Sequence, residues 1–381
     1  MSIPFVNIKA QDESIREELD RAIKNVIDGD LLVGGEVVKA FEKNFASYLG
    51  VEYCVGCGNG SDAIEIALKA LGIGRGDEVI VPAFSWISTA SAVSNVGAEP
   101  IFVDVLVDER TINPALIESK ITDRTKGIIP VHLYGLPARM NEIKAIADRH
   151  DIFILEDCAQ AHGAEIKGQK VGSFGDIGTF SFYPSKNLGA YGDGGAIVTD
   201  DSALHEKVKR LSNQGQLEKH DHELLGRNSR LDSIQAAILS TKLSYLDQWN
   251  DSRIASASKF EKELDGIYHG KIPTVPREYK HVFHLYVIES ENRDSLKANL
   301  EMASIGCAIH YPTPLPFLPI YKYQEHSKGD FPVAERLSKE VLSLPMYSGI
   351  EDRDVKRVTQ IMKKHFGINS TDRKISPQEF Q

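Results

Sequence analysis

The chain has 381 residues, of which 42% are hydrophobic, and it carries a formal net charge of -10. This length and apolar content predict an ordinary globular protein with a sizeable core, built as one large domain and a smaller companion. Acidic and basic residues are interspersed, so the charge pattern favours neither nucleic-acid binding nor attachment to an anionic membrane.

The amino-terminal part of the chain predicts a soluble start and two helices. Residues 1–5 lack a charged region followed by an apolar stretch, and no run reaches the ~18 apolar residues of a membrane span, so we expect a cytoplasmic protein. Helical spacing of apolar residues predicts helices over Asp12 to Asp28 and Glu36 to Leu49, both packed on the large domain. The apolar stripe of the second helix consists of Val37, Phe41, Phe45 and Leu49.

From about residue 52 to residue 200, short β-rich runs alternate with helical patterns. The β-rich runs are Tyr53–Val55, Glu78–Val81, Lys126–Val131 and Ile152–Leu155. This alternation is typical of a mostly parallel sheet flanked by helices. Because ligands bind beside the carboxyl ends of strands in such sheets, the residues that follow each run are candidates for a functional site.

The first of these segments is a glycine-rich turn, residues 56–62 (GCGNGSD). Its bare amides and the start of the next helix offer an anion site around Gly60, Ser61 and Asp62. A tight turn with Ser61 as an ordinary N-cap explains the same residues when the motif is taken alone. The spacing differs from the G-x-G-x-x-G fingerprint of dinucleotide-binding proteins, which argues against a dinucleotide.

Trp86 follows the second strand and is one of only two tryptophans. A core position is the default for a single aromatic residue. At the end of a strand, however, its ring could instead stack on the face of a flat ligand.

The cysteines indicate neither a metal site nor a disulfide framework. Cys54 and Cys57 form a C-x-x-C pair, but no second Cys/His pair follows at the spacing of a zinc finger. Four scattered cysteines are too few to cross-link a chain of this size. We therefore predict no metal.

Glu156 and Asp157 come directly after a buried strand and before a run of small residues. An isolated acidic pair at a strand end is usually solvated, but the small residues here leave room for a flat ligand. Gln160 could then form a hydrogen bond with a substituent of its ring. An aspartate at this point could keep a pyridine nitrogen protonated, which makes the ring an electron sink.

Lys186 lies in residues 180–189 (FSFYPSKNLG), a strand-like run that is interrupted by proline before a glycine-containing turn. Lysines seldom occupy such positions for packing, although a solvated lysine after a strand is the plain alternative. A Schiff-base amine and an aspartate for a pyridine nitrogen are the pair that a pyridoxal phosphate enzyme requires. Lys186 and Asp157 therefore point to this cofactor.

The second half of the chain predicts a smaller α+β domain. A helical stretch from Ser233 to Trp249 leads into a polar triplet, after which we place the boundary, giving a large cofactor-binding domain at 1–250 and a small domain at 251–381. A strand is predicted from Val282 to Ile288. Four prolines in residues 310–319 predict an extended ordered loop. The polar tail from about residue 369 is predicted to be mobile.

Five motifs together resemble one known family. They are Gly60–Asp62, Glu156–Gln160, Phe180–Asn187, Gly192–Gly195 and Arg227–Asp232. Their order and spacing, over nearly the whole chain, resemble the DegT/DnrJ/EryC1/StrS family of pyridoxal phosphate-dependent nucleotide-sugar aminotransferases. The resemblance implies a fold-type I aminotransferase of the α/β class, with a mostly parallel sheet, a smaller C-terminal α+β domain and a homodimer with composite active sites.

The resemblance also implies roles for the residues around the cofactor ring. Lys186 would hold pyridoxal phosphate covalently and move protons during the reaction. Asp157 would pair with the pyridine nitrogen, Gln160 would contact the ring hydroxyl, and Trp86 would stack on the ring.

A second group of residues would hold the cofactor phosphate. By resemblance, these are Ser61, the amides around Gly60 and Asp62, and the hydroxyl of Ser181. Asn228 would reach the same phosphate from the other subunit, which is what makes the active site composite.

The implied reaction transfers an amino group from glutamate, giving 2-oxoglutarate, to a keto sugar carried on dTDP or UDP. Tyr183-Pro184 and the turn Gly192-Asp193-Gly194-Gly195 resemble the branch that acts at C3 of hexoses. Members acting at C4 more often carry histidine or glycine in place of Tyr183-Pro184, and a Gly-Glu-Gly-Gly turn. We therefore favour a 3-keto hexose, with a 4-keto sugar as the alternative.

Tyr183, His310 and Tyr311 are the candidate substrate contacts. The family often has a histidine where this chain has Pro316, so the proline-rich loop departs from the pattern, and anchoring of that loop is the alternative role for His310 and Tyr311. Two rival functions are a sugar dehydratase, against which Lys186 argues, and a non-catalytic sensor or regulator. The complete set of site residues argues against the latter.

Overall fold

The computed structural model describes residues 2–265, 268 and 270–367. The tail that we predict to be mobile lies outside the described residues. The α-helices are α1 (Ile8–Asp12), α2 (Arg16–Ile27), α3 (Gly35–Leu49), α4 (Gly60–Ala70), α5 (Ser88–Asn95), α6 (Pro114–Ile117), α7 (Met140–His150), α8 (Ser202–Ser212), α9 (Ser233–Leu243), α10 (Leu246–Leu264), α11 (Arg293–Met302), α12 (Pro332–Glu340) and α13 (Asp352–His365). The strands are β1 (Tyr53–Cys57), β2 (Glu78–Pro82), β3 (Glu99–Val103), β4 (Thr125–Ile128), β5 (Phe153–Asp157), β6 (Glu165–Ile166), β7 (Gln169–Lys170), β8 (Ile177–Ser181), β9 (Gly195–Thr199), β10 (Tyr279–Lys280), β11 (Tyr286–Glu289) and β12 (Val341–Leu344).

A seven-stranded sheet in the order β1-β9-β8-β5-β4-β2-β3 lies at the centre of the protein. Five strands, from β8 through β3, run parallel, whereas β9 is antiparallel to both β8 and β1. All five residues of β2 are buried, as expected for a parallel strand covered by helices on both faces. The predicted α/β class with a mostly parallel sheet is confirmed.

The reversal of β9 closes a loop on the sheet. Ser181 at the end of β8 pairs with Gly195 at the start of β9, so the intervening residues leave and re-enter the sheet at the same edge. Inside this loop, the amide of Phe182 donates to the Gly194 carbonyl at 2.8 Å, and the amide of Ala190 donates to the Phe182 carbonyl at 2.8 Å. The loop that carries Lys186 is therefore held at both ends.

The two amino-terminal helical regions pack where the sequence predicts. α2 and α3 contact α9, and α3 also contacts β1. Phe41 and Phe45 of α3 are fully buried and meet the ring of Phe182 edge-on. One position of the predicted stripe differs, because Val38 faces the core and Val37 is exposed.

The domain boundary predicted after residue 250 falls inside a helix. The predicted helix from Ser233 to Trp249 is in fact two helices, α9 and α10, and α10 continues to Leu264. Asn250, which looks like a linker residue, is completely buried, since its amide donates to the His162 carbonyl and accepts from Asn187. A polar residue with internal partners can replace an apolar one in a core. The division into two domains remains a prediction.

The carboxyl-terminal part pairs β11 with β12 and packs α10, α11 and α13 around a separate apolar cluster. The strand predicted from Val282 is shorter, because the amides of Val282 and Leu285 donate to the carbonyls of Gly135 and Tyr134 instead. The proline-rich segment is not extended throughout, since it contains a 3-10 helix at Leu315–Phe317. Across the described residues, no helix is both long and apolar enough to cross a membrane.

Candidate active site

A cavity of about 530 Å³ opens at the carboxyl ends of β5 and β8. Most of the predicted site residues lie in its wall: Gly60, Ser61, Trp86, Asp157, Gln160, Ser181, Tyr183, Lys186, His310 and Tyr311. Asp62 and Asn228 are not part of the wall. Segments far apart in the chain thus meet at one edge of the sheet, where an open α/β fold binds its ligands.

Lys186 enters this cavity from the loop between β8 and β9, where its backbone amide donates to the Tyr183 carbonyl at 2.8 Å. Burial lowers the pKa of Lys186 to about 8, and the Asp157 carboxylate opposes that change. An amine with this pKa is neutral far more often near neutral pH than an ordinary lysine. The neutral form is the nucleophile, so Lys186 is prepared for covalent chemistry.

Asp157 ends β5 and is 5% exposed. Its Oδ2 accepts a hydrogen bond from the Thr89 hydroxyl at 2.8 Å, and its Oδ1 accepts one from the amide of Ala159 at 3.2 Å. Burial raises the pKa of Asp157, whereas these two hydrogen bonds and the charges of Lys186 and His132 lower it. The carboxylate is thus fixed in orientation, and the solvated alternative is wrong for this residue.

Gln160, which also lies in the cavity wall, connects two tyrosines. Its Oε1 accepts from the backbone amide of Tyr134 at 2.8 Å, and its Nε2 donates to the Tyr311 hydroxyl at 3.0 Å. The Tyr134 hydroxyl donates in turn to the His310 carbonyl. These bonds fix the amide so that its second N–H proton is available for a ligand.

The anion site at the start of α4 differs in one detail from the sequence prediction. Asn59, and not Ser61, is the N-cap, because its side chain accepts from the amide of Asp62 at 2.8 Å. Both residue types are good caps, so the sequence does not distinguish them. The Ser61 hydroxyl instead lies 2.6 Å from the Ser88 hydroxyl, at the wall of the cavity.

Gly60 allows the start of α4 to approach the end of β8. A Cβ atom on Gly60 would lie 2.6 Å from the Ser181 Cβ, which is closer than any real contact of this kind. The first amides of a helix have no intrahelical partners and favour an anion. Gly60, Ser61 and Ser181 therefore bring amides and hydroxyls together at one corner of the cavity.

Asp62 has a different part in the structure from the one the sequence suggests. Its amide is taken by Asn59, and its carboxylate pairs with Arg227, which also pairs with Glu65. Arg227 directly precedes the exposed Asn228, so Asp62 holds the segment that bears Asn228. Asn228 itself lies on the surface, outside the cavity of its own chain.

Trp86 is 56% exposed, so the default core position is wrong. Its ring lies 5.7 Å from the Tyr311 ring with a tilt of 42°. An exposed indole at the wall of a cavity offers an apolar face to a ring-shaped ligand.

The residues of this cavity fit pyridoxal phosphate. A buried carboxylate suits a ring nitrogen, an amine of lowered pKa suits an aldehyde, and the Gly60 corner, which a Cβ would fill, suits a phosphate. Each of these features would contact a different part of the cofactor.

Sequence reasoning missed several residues of the wall and its support, namely Asn59, Ser85, Ser88, Thr89 and His284. A signal existed for those on the Trp86 segment, since they follow β2 at the same edge of the sheet. His284 gives no local signal, because its place depends on the bonding of residues 282–285 to a distant turn.

His132, Glu156 and Cys158 present potential metal ligands within 4.8 Å of one another. The Glu156 carboxylate accepts hydrogen bonds from the amides of Gly172, Phe174 and Gly175, and lies 3.0 Å from His132 Nε2. The other nitrogen of His132 accepts from the amide of Ala138. Hydrogen bonds thus account for the cluster, and Glu156 serves to clamp a loop.

Comparison with known proteins agrees with this geometry. Residues 13–363 match the DegT/DnrJ/EryC1/StrS aminotransferase family. A dTDP-3-amino-3,4,6-trideoxy-α-D-glucose transaminase of Streptomyces venezuelae is 41% identical over 362 residues, which cover 95% of this chain and 96% of the relative. A UDP-N-acetyl-3-dehydro-α-D-glucosamine 3-aminotransferase of Acidithiobacillus ferrooxidans is 45% identical over 365 residues, which cover 95% and 98% respectively.

Solved structures share the whole fold. DesV of Streptomyces venezuelae, in complex with a ketimine intermediate, has a TM-score of 0.93 and 41% identity, and the match covers 95% of this chain and 98% of DesV. NtdA of Bacillus subtilis, with bound cofactor PMP, has a TM-score of 0.87 and 31% identity over 95% and 85% of the two chains. PMP is the amino form of pyridoxal phosphate. Pyridoxal phosphate is the cofactor of this protein as well. The chain belongs to the DegT/DnrJ/EryC1/StrS aminotransferase family.

Proposed function

We propose that this enzyme transfers an amino group from glutamate to the C3 keto group of a hexose linked to a nucleotide diphosphate. The observation that carries the proposal is the convergence of Lys186 and Asp157 on one cavity at the edge of the sheet. Position 3 is favoured because the two relatives described above are both named for that position. A 4-keto sugar is the less supported alternative.

When bound, pyridoxal phosphate supplies an electron sink for the negative charge that develops at the carbon bearing the amino group. In this proposal Lys186 anchors the cofactor and, once released, its Nζ takes the proton from that carbon. The same amine would deliver that proton to the cofactor and, in the second half of the reaction, would carry a proton from the cofactor to the carbon of the sugar. A pKa of about 8 lets Nζ accept and release protons near neutral pH, which is what a general base and acid requires.

The other residues bind and orient. Asp157 would hold the ring nitrogen, since Thr89 and Ala159 already fix its carboxylate. Gln160 would donate its remaining proton to the ring hydroxyl. Trp86 would cover one face of the ring and reduce the access of water.

We further propose that Gly60, Ser61 and Ser181 hold the phosphate, with help from Asn228 of a second copy. Asn228 is exposed and does not line the cavity of its own chain, which fits a role in trans. Leu225, three residues earlier, is 93% exposed and would be available to pack against a partner on the same surface. Both observations support a homodimer.

The sugar would lie at the open end of the cavity, beside Tyr183 and His310. Tyr183 is 55% exposed and contributes to the wall. Nδ1 of His310 forms a hydrogen bond of 2.8 Å with the Ser343 hydroxyl. Burial lowers the pKa of His310 to about 4, so its ring is neutral. A neutral, oriented imidazole can select sugar hydroxyls, while Tyr311 is engaged with Gln160.

The reverse half-reaction tests the substrate. The pyridoxal phosphate form is incubated with dTDP- and UDP-linked 3-amino and 4-amino sugars, and conversion of the cofactor is followed by absorption. We expect conversion with 3-amino sugars, and a second incubation with glutamate should give the same spectral change. Conversion with 4-amino sugars alone would contradict the assignment of position.

Mixing two impaired variants tests the composite site. Lys186→Ala and Asn228→Ala subunits are co-refolded, which produces mixed dimers with one site carrying both changes and one carrying neither. We expect each mixed dimer to regain activity at its one unchanged site. If Asn228 acted within its own chain, the mixture would stay as weak as Asn228→Ala alone.

A further inference from the structure

Thr89 makes the closest side-chain hydrogen bond to Asp157. It is completely buried in the first turn of α5, directly after the segment that bears Trp86. Its hydroxyl donates to Asp157 Oδ2 at 2.8 Å, across 68 positions of sequence. The other carboxylate oxygen accepts from the amide of Ala159. One donor on each oxygen determines how the carboxylate faces the cavity.

Ser85 extends this arrangement to the wall of the cavity. Its hydroxyl lies 3.3 Å from that of Thr89, and it is 3% exposed. While Asp157 is ionised, the single proton of Thr89 points to the carboxylate, so Ser85 must be the donor in the second pair. A chain of hydrogen bonds in a buried site strengthens each member.

A purely structural threonine behaves differently. Buried threonines within helices commonly bond a carbonyl one turn earlier in their own helix. Thr359 of α13 does so, since it is fully buried and its hydroxyl donates to the Lys356 carbonyl at 3.0 Å. Thr89 instead bonds across to the end of β5, at a residue that faces the cofactor cavity.

We propose that Thr89 is a positioning residue that fixes the Asp157 carboxylate toward the nitrogen of the cofactor ring and favours its charged form. It acts through Asp157 and does not line the cavity. The inference rests on the proposed pairing of Asp157 with the ring nitrogen and is independent of the sugar.

The charges around Asp157 give the direction of the effect. Burial raises its pKa, and the Thr89 hydrogen bond is the strongest influence that lowers it, ahead of Ala159, Lys186 and His132. From the proline-rich loop, Tyr311 faces the same carboxylate, and burial keeps its phenol protonated by raising its pKa. Loss of the Thr89 hydroxyl therefore moves the pKa of Asp157 further upward.

The test is the affinity of the apoprotein for pyridoxal phosphate as a function of pH, measured by equilibrium dialysis without substrates. Loss of a hydrogen bond to a charged group moves the pKa of that group by about one to two pH units. For Thr89→Val, we expect the acid limb of binding to move up by this amount, because Asp157 loses its charge at a higher pH. On this acid limb the affinity should fall about tenfold or more, and the difference should shrink as the pH rises.

Two variants serve as matched controls. Thr89→Ser keeps the hydroxyl and should bind like the unchanged protein, whereas Thr359→Val makes the same substitution at an equally buried helical site and should leave the pH profile unchanged. If Thr89→Val does not fold, Thr89→Ala carries the same expectation. In an Asp157→Asn background, Thr89→Val should cause no further loss.

The outcomes separate this inference from the wider proposal. A loss in Asp157→Asn with none in Thr89→Val would overturn the role of Thr89 alone. A Thr89→Ser variant that loses as much affinity as Thr89→Val would show that keeping the hydroxyl does not preserve binding, and it would also overturn that role. If Asp157→Asn binds the cofactor normally, the role of Asp157 fails together with that of Thr89.

Discussion

Replacement of Gly60 by alanine tests the phosphate corner of the cavity directly. The added Cβ would lie 2.6 Å from the Ser181 Cβ and 3.2 Å from its Cα. Carbon atoms prefer about 3.5–4.0 Å, so the overlap is about 1 Å. Because backbone and Cβ of β8 are involved, a change of rotamer cannot relieve it, and the start of α4 must move away from β8.

The magnitude follows from that displacement. Overpacking of this kind costs about 1–3 kcal/mol, and a charge-assisted hydrogen bond that no longer reaches its anion costs about 1.5–3 kcal/mol. Since about 1.4 kcal/mol is a factor of ten, we expect Gly60→Ala to weaken binding of pyridoxal phosphate by about 10- to 100-fold. The free energy of unfolding of the apoprotein should fall by less than about 3 kcal/mol, which leaves a folded protein to measure.

The assay is equilibrium dialysis of the cofactor together with thermal unfolding of the apoprotein. Gly74→Ala is the matched control, because a Cβ there would meet only the Val96 carbonyl oxygen, at 3.7 Å. It should bind the cofactor normally. The reasoning would be refuted if Gly60→Ala bound pyridoxal phosphate as tightly as Gly74→Ala, since the close approach of α4 to β8 would then be irrelevant to the phosphate.

Three further predictions concern the lysine and its surroundings. Borohydride reduction followed by peptide mass analysis should place the pyridoxyl group on Lys186, and Lys186→Ala should lose transamination by several orders of magnitude; label on another lysine would contradict the assignment. Because the pKa of Lys186 is lowered to about 8, covalent capture of the cofactor by the apoprotein should rise with pH to a midpoint near 8, and a midpoint near 10 would show an ordinary lysine. Asn59→Ala should lower the free energy of unfolding by about 1 kcal/mol through loss of the α4 cap, whereas Ser61→Ala should leave stability nearly unchanged and weaken cofactor binding.

Much of the fold and of the cavity wall follows from local sequence patterns. Buried strands and amphipathic helices are set by the spacing of apolar residues, which is why α3 agrees closely with prediction. Lys186 and Asp157 could be selected because strand ends in a parallel sheet share one edge. Functional residues at the ends of strands can therefore be recognised from the sequence alone.

The remaining features depend on contacts between distant segments. Asn250 looks like a linker residue until its partners, Asn187 and the His162 carbonyl, are known. Thr89 looks like any helical threonine until α5 is placed against β5. The choice between Asn59 and Ser61 as cap turns on a difference of two residues in where the helix begins, which propensities do not resolve. Such errors have a common cause, since the structural role of a polar side chain depends on its hydrogen-bond partner.

The antiparallel return of β9 limits how Lys186 can move. Both ends of its loop are fastened to the sheet, so the backbone beside the lysine has little freedom, and the amine must travel by rotation about its own side-chain bonds. Rotamer changes of exposed side chains take place in picoseconds to nanoseconds, whereas loop rearrangements take nanoseconds to microseconds. Rotation of the Lys186 side chain would then be fast compared with turnover, and slow steps would have to come from elsewhere, such as the proton transfer itself or exchange of substrate and product through the open end of the cavity.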